Sequence, residues 1–220
     1  PDLGLYIQEV INKYGIDPSK VVAVHNAVDF SGREDLTVER GVKDKVVTFL
    51  GRITYQKGPE YFIDAAAKVL KRTKGVRFVM AGSGDMMTRA IRQVARLGIS
   101  DRFHFTGFLR GTDVQKMFAL SDVYVMPSVS EPFGISPLEA MRSNVPSIIS
   151  YQSGAAEVLK YAFKVDFWDV DAMADDIYAL VNYPALSTFA SEHGLEEVNA
   201  LKWDYAAAKL KNIYEQLIIK

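Results

Sequence analysis

The sequence predicts an α/β fold in which a mostly parallel sheet is covered by helices on both faces. From Lys45 onward, short runs rich in Val, Ile and Phe alternate with helical patterns. Those runs are apolar on both sides of the strand, which is typical of parallel strands buried between helices. The 220 residues, 49% of them hydrophobic, are sufficient for one sizeable core. We therefore expect a single main domain.

The chain before Lys45 predicts a helix, a short strand and a linker. Apolar residues between 3 and 14 follow helical spacing, and Gly15 ends the pattern. A turn then leads to the β-branched run VVAV at 21–24 and to HNAVD at 25–29. The stretch from 31 to 44 is polar and charged, so we expect a linker there.

Six strand and helix pairs are predicted after this linker. The strands are expected at 46–50, 76–81, 103–107, 122–126, 146–150 and 163–168, and the helices at 59–73, 86–98, 112–121, 137–142, 154–160 and 171–182. Two further helical patterns, 185–201 and 203–218, close the chain without another strand. These last helices are expected to pack on the domain or onto a missing partner.

Composition excludes several classes of function. The 26 basic and 27 acidic residues give a net charge of -1, which argues against nucleic acid or a membrane surface as partner. The absence of cysteine rules out disulfides and thiolate metal sites and suits a cytoplasmic protein. The three histidines are widely spaced, so no metal is expected. No apolar run approaches the roughly 20 residues of a transmembrane segment.

The first candidate site motif is GRITYQKG at 51–58, between a strand and a helix. Gly51 and Gly58 permit close backbone approach, and Arg52 and Lys57 place two cations at the carboxyl end of the strand. A diphosphate suits this arrangement, with each charge-assisted hydrogen bond contributing roughly 1.5–3 kcal/mol. Taken alone, the motif favours a simpler interpretation, two solvated loop charges that lead into a helix.

The second candidate is AGSGD at 81–85, again between a strand and a helix. A dinucleotide fingerprint would need glycine at position 87, where Met87 stands, so a nicotinamide cofactor is disfavoured. The G-K-[ST] phosphate loop is also absent from the sequence. The motif predicts a tight turn, with structure as good an explanation as binding.

The third candidate is PSVSEPFGISPLEAM at 127–141, where Glu131 and Glu139 flank a Phe-Gly turn at a strand-to-helix corner. Ligands bind at such corners in parallel sheets, and carboxylates accept hydrogen bonds from ribose and sugar hydroxyls. Two alternatives stay open. Ser136, Pro137 and Glu139 also fit a helix capping box, and a glycosidase would use two carboxyls on either side of a glycosidic bond.

Taken in order, these motifs resemble one family. The set HNAVD, GRITYQKG, VMAGSGD, FHFTGF, SDVYVMPSVSEPFGISPLEAM, NVPSII and SGAAEVL is similar to the donor-binding half of the two-domain GT-B retaining glycosyltransferases, the group 1 family that includes glycogen synthases. The resemblance implies a Rossmann-like domain at 45–183. It also implies that residues 1–44 form the crossover from an amino-terminal acceptor domain, which is missing from these residues. Residues 184–220 would be closing helices that pack on the Rossmann-like domain or back toward the acceptor domain.

The resemblance also implies roles for individual residues. Arg52 and Lys57 match the cations that bind the donor diphosphate and stabilise it as leaving group. Glu131 matches the first glutamate of an E-x7-E motif, near the donor sugar, and Glu139 matches the second, which holds the ribose. The other implied donor-binding positions are Gly82, Leu109, Arg110, Phe133, Gly134 and Ile135.

The implied reaction transfers a glycosyl unit from a UDP-, ADP- or GDP-linked sugar to an acceptor hydroxyl, with retention and without metal or cofactor. Because the acceptor domain is missing from these residues, we expect the isolated chain to bind donor but to be nearly inactive. Other possibilities are a sugar-nucleotide epimerase, a phosphorylase, or a module that binds nucleotide sugar without catalysis. The sequence differs from the family pattern at Ala27 and Asn144, where glycine is usual.

Overall fold

The computed structural model describes residues 5–27, 38–41 and 43–218. Its strands are β1 (Lys45–Leu50), β2 (Val76–Ala81), β3 (Phe103–Gly107), β4 (Val123–Met126), β5 (Ser147–Ser150) and β6 (Phe163–Val165). Its α-helices are α1 (Leu5–Tyr14), α2 (Pro59–Arg72), α3 (Met87–Arg96), α4 (Thr112–Leu120), α5 (Ser136–Arg142), α6 (Ala155–Val158), α7 (Val170–Asn182), α8 (Pro184–Ala200) and α9 (Trp203–Ile218).

The six strands form one parallel sheet in the order β3-β2-β1-β4-β5-β6. The chain enters at β1 in the middle, moves outward to β3, and then returns to place β4 on the other side of β1. The connections that follow β1 and β4 therefore leave the sheet in opposite directions, which opens a crevice at their carboxyl ends. The predicted fold class is confirmed, and sheets of this kind bind their ligands in such a crevice.

Both faces of the sheet carry helices. One face packs against α2, α3 and α7, around the buried rings of Phe49, Phe62, Phe78 and Phe103, whose centroids lie 5.7–6.2 Å apart. Successive strand residues point to opposite faces. Tyr124 therefore faces the other side, where its ring lies 5.7 Å from that of Phe118 on α4. Each buried ring contributes roughly 1.5–3 kcal/mol, so the strands form a rigid platform for the loops at their ends.

The chain divides into two compact units. One comprises residues 34–198 and contains the sheet, while the other comprises residues 1–33 and 199–220 and contains α1 and α9. Most of α8 belongs to the unit with the sheet, where Ala190 and Val198 are buried and Gly194 lies against Met141 of α5.

One predicted strand is wrong. Residues 21–27 adopt no strand, although Val21, Val22 and Val24 favour extended backbone. A strand also needs a hydrogen-bonding partner, and no described segment pairs with this run. Two residues of HNAVD, Val28 and Asp29, and most of the predicted linker lie outside the described residues.

A cluster of charges ties the sheet together at the end opposite the crevice. The Asp122 carboxylate accepts hydrogen bonds from the Val46 amide at 2.8 Å, from Lys45 Nζ at 2.9 Å and from the guanidinium of Arg40. Burial would raise the pKa of Asp122, but the hydrogen bonds from Arg40, the Val46 amide and Lys45 outweigh it and hold this pKa below its usual range. The cluster joins the start of β1 to the start of β4.

We expect Asp122→Asn to lower the free energy of unfolding by about 1–2 kcal/mol at pH 7. The loss is smaller than for a fully buried ion pair because Arg40 and Lys45 are partly in water, which weakens their attraction to Asp122. The depressed pKa stabilises the protein above the usual aspartate pKa of about 4, and this stabilisation disappears as the pH falls through the folded-state value. Urea denaturation from pH 7 to pH 3 measures both effects. Asp113→Asn, which removes an exposed i,i+3 pair with Lys116, is the control and should change stability by less than about 0.5 kcal/mol.

Candidate functional site

The loops that follow β1 and β4 are joined along the crevice. The Val129 amide donates a hydrogen bond to the Gln56 carbonyl at 2.9 Å. Gly58 has φ +64° and packs so closely on the Pro127 carbonyl oxygen that a Cβ at this position would overlap it. Glycine is therefore required at 58 by both the backbone conformation and the space. This close approach places Lys57, the preceding residue, beside the loop that carries Glu131.

Lys57 and Glu131 form an ion pair between the two loops. The side chains are only 18% and 12% exposed, so the pair is largely removed from water. In such surroundings the attraction is stronger than at the surface, and loss of one partner leaves the other charge uncompensated. The two charges therefore depend on each other in this structure.

The main chain of Glu131 is held by the loop that follows β5. Its amide donates to the Gln152 carbonyl at 3.0 Å, and its carbonyl accepts from the Gly154 amide at 2.9 Å. The Gln152 side chain reaches further and donates to Asp166, after β6, at 2.8 Å. Loops from three neighbouring strands thus determine the position of one glutamate.

Arg52 lies on the open side of the crevice. Its side chain is exposed and donates to the Gln56 side-chain carbonyl at 3.2 Å. The next residue, Ile53, donates its amide to the carbonyl of Ser83 after β2 at 2.8 Å, so the AGSGD turn supports the Arg52 loop from behind. Arg52 is available to a ligand, whereas Lys57 is already paired.

The alternative of a capping box at α5 is not met at Ser136. The helix begins at Ser136, so Ile135 occupies the cap position and makes no side-chain cap hydrogen bond. The Ser136 hydroxyl instead accepts a hydrogen bond from the buried Tyr124 hydroxyl at 2.7 Å. Burial raises the pKa of Tyr124, so this hydroxyl stays protonated and can donate. The Ser136 hydroxyl thus anchors the start of α5 to β4.

The remaining predicted residues lie around the same edge of the sheet. Glu139 is half-buried in the first turn of α5, Phe133 is buried, and Gly134 has φ +93° beside Met126 and Glu131. Ile135 is exposed, and Gly82 lies against Gly51. Leu109 and Arg110 follow β3, where the Arg110 guanidinium lies 5.0 Å from the Phe108 ring centroid. Among the described contacts, none joins Leu109 or Arg110 to Lys57 or Glu131.

Sequence reasoning missed Gln56 and Gln152, which hold Arg52 and Glu131. Gln152 follows the carboxyl end of β5, so the rule that identified the other loops could also have found it. Neutral amides carry no charge signal in a sequence. For this reason their role became visible only through their hydrogen bonds.

The described part of the chain has neither a cluster of metal ligands nor a membrane-spanning helix. Within it, no group of three or more histidine and carboxylate side chains is arranged to hold a metal ion. None of the helices built from these residues is both long and apolar enough to span a bilayer.

Known proteins resemble this chain over most of its length. Residues 34–194 match the family described as glycosyl transferases group 1. An uncharacterised glycosyltransferase of Methanocaldococcus jannaschii is 31% identical over 224 residues, which cover 94% of this chain and 57% of that protein. The chain spans about half the length of curated relatives such as this one.

Solved structures share the fold. A glycosyltransferase from Rickettsia africae aligns with a TM-score of 0.81 at 21% identity, over 97% of this chain and 61% of that one. The Anabaena protein HepE, in complex with UDP and glucose, aligns with a TM-score of 0.71 at 21% identity, over 79% of this chain and 49% of that one. The family match covers most of the chain and coincides with the unit that contains the sheet and the crevice, so this chain belongs to the glycosyl transferases group 1 family.

Proposed function

We infer that this chain is the donor-binding part of a retaining glycosyltransferase that uses a nucleoside-diphosphate sugar and no metal. The observation that carries the proposal is the position of Arg52, Lys57 and Glu131 in the crevice between β1 and β4. Ligands bind at this point in parallel sheets of this order. Two cations and a carboxylate suit a diphosphate that is joined to a polyhydroxyl sugar.

Arg52 and Lys57 would neutralise the charge that develops on the leaving diphosphate. The bond between the anomeric carbon and the phosphate oxygen breaks, and the acceptor oxygen bonds to the same face of that carbon. The acceptor proton passes to the departing phosphate, so the chain needs no base of its own. Preorganised cations are an effective way to stabilise such a charge, since they need no rearrangement during the reaction.

Glu131 and Glu139 would hold the two ends of the donor, the sugar and the ribose. They lie on different supports, a loop pinned by its neighbours and the first turn of α5, so both can face one ligand. The base would lie toward Gly82, Leu109 and Arg110, while Phe133, Gly134 and Ile135 would line the sugar side. The UDP and glucose of the similarly folded Anabaena protein support this class of donor.

The acceptor would be bound by a part of the protein outside these residues. The length of the match supports this proposal, since the chain spans about half the length of its curated relatives. We propose that the acceptor is a glycan or another hydroxyl compound, and that the chain alone turns over poorly.

Titration calorimetry with UDP, ADP and GDP tests the proposal. We expect one of them to bind with a dissociation constant in the micromolar to submillimolar range, because charged hydrogen bonds of this number supply about 5–8 kcal/mol. Glu139→Ala should weaken that binding about tenfold through loss of the ribose contact. Absence of binding by all three nucleotides at millimolar concentration would contradict the proposed function.

A further inference from the structure

Lys57, one of the two cations that the diphosphate needs, is already paired with Glu131. Lys57 is 18% exposed and its ammonium group is already engaged by Glu131, whereas Arg52 is exposed and held only by a neutral amide. A diphosphate that approaches Lys57 therefore meets a carboxylate of the same sign. The two anions compete for one ammonium group.

The Glu131 side chain has little access to water in its observed position. Its side chain is 12% exposed, and its main chain is fixed by Gln152 and Gly154. A carboxylate that loses its cation in such surroundings needs another hydrogen-bond donor, since an unpaired buried charge is strongly unfavourable. A sugar hydroxyl can be that donor, while the fully ionised terminal phosphate of a nucleoside diphosphate offers none.

We propose that Glu131 makes the site discriminate between the complete sugar nucleotide and the nucleoside diphosphate, by competing with phosphate for Lys57. With the whole donor, Lys57 turns to the diphosphate and Glu131 accepts a hydrogen bond from the sugar. With the nucleoside diphosphate alone, Glu131 loses its cation and finds no replacement. The ion pair re-forms when the product leaves. This role rests on the proposed function and concerns the selectivity of the same crevice.

Removal of the Glu131 carboxylate should therefore strengthen the binding of one ligand, the nucleoside diphosphate. Glu131→Gln keeps the size of the side chain and its acceptor oxygen, but it releases Lys57 and removes the negative charge. We expect this variant to bind the nucleoside diphosphate about tenfold more tightly than the wild type, a change of about 1.4 kcal/mol. Binding of the sugar nucleotide should change by less than about threefold, so its advantage over the product shrinks.

The experiment is calorimetry on the whole chain with UDP and UDP-glucose, ADP and ADP-glucose, and GDP and GDP-glucose. The variants are Glu131→Gln, Lys57→Met and the double variant, so that the four proteins form a cycle. Glu192→Gln, which removes an exposed carboxylate on α8, is the charge-matched control and should leave all affinities within about twofold. Thermal unfolding of each variant verifies folding, since Glu131→Gln leaves the Lys57 ammonium without its carboxylate and Lys57→Met leaves the carboxylate without its cation.

The outcomes separate this inference from the proposed function. If no nucleotide binds the wild type, both fail. If nucleotides bind but Glu131→Gln leaves the nucleoside diphosphate unchanged or weaker, the discrimination is refuted while the donor site stands. If Glu131→Gln tightens binding as much in the Lys57→Met background as in the wild type, the effect is direct repulsion between Glu131 and the phosphate. Competition for Lys57 is then wrong. Tightening that requires Lys57 supports the inference.

Discussion

Replacement of both Arg52 and Lys57 by alanine is expected to weaken nucleoside diphosphate binding by more than about 100-fold. Each cation contributes a charge-assisted hydrogen bond of roughly 1.5–3 kcal/mol, and about 1.4 kcal/mol corresponds to a factor of ten. The single variants should each lose about 10- to 100-fold. Calorimetry with the nucleotide that binds the wild type gives these values.

The control for this prediction is Arg92→Ala, on the exposed side of α3, which removes the same charge away from the crevice. It should leave nucleotide affinity within about twofold, because exposed charges at a distance are screened by salt. Lys57→Ala leaves Glu131 without its cation, so its folding is checked by thermal unfolding. If the nucleotide affinity of the double variant stays within about threefold of the wild-type affinity, the diphosphate binds elsewhere. That result would favour a non-catalytic scaffold that lacks this diphosphate site.

Gly82→Ala is expected to be among the most destabilising single substitutions, with a loss of about 3–5 kcal/mol in the free energy of unfolding. Gly82 has φ +143°, and a Cβ there would overlap the carbonyl oxygen of Gly51. Neither segment can move freely, because the Gly51 amide is bonded to the Ala81 carbonyl at 3.0 Å and the Gly82 amide to the Gly107 carbonyl at 2.8 Å. Urea denaturation measures the loss.

Gly98→Ala provides the comparison. Gly98 has φ +69°, but no atom lies within 4 Å of the position that a Cβ would take, so only the backbone strain of about 1–2 kcal/mol is expected. The difference between the two variants isolates the steric contact between the ends of β1 and β2. If Gly82→Ala is no less stable than Gly98→Ala, the two loops are not packed as closely as the structure indicates. Since the Arg52 loop rests on this contact, Gly82→Ala should also weaken nucleotide binding.

The sheet was predictable because its signal is local. Each strand from β1 to β6 is a short run of β-branched and aromatic residues, and each helix shows its own apolar spacing, so every element could be recognised from its own segment. The errors lie where pairing with another strand decides whether a segment becomes a strand. The run at 21–24 has strand composition without a partner, and β6 ends at Val165 rather than at 168. Asp166 instead accepts a hydrogen bond from Gln152, and the Phe167 ring packs at 5.1 Å from that of Tyr61.

The candidate site was predictable in its parts but not in its contacts. A strand followed by glycines and charges indicates a loop at the carboxyl edge of a sheet, which is how Arg52, Lys57 and Glu131 were selected. That Lys57 pairs with Glu131, 74 residues away, depends on β1 and β4 being neighbours. The same holds for Ser136, whose hydroxyl meets Tyr124 instead of capping α5.

The sequence by itself determined the alternation of strands and helices, the resemblance to one family, and the residue types at the edge of the sheet. These follow from periodicity, composition and motif order, which are properties of the chain alone. Only the tertiary structure decided that Lys57 is paired with Glu131, that Gln152 holds this glutamate, and that Arg52 is exposed. Those facts depend on strand order and on which side chains are withdrawn from water, and both arise only when distant segments pack together.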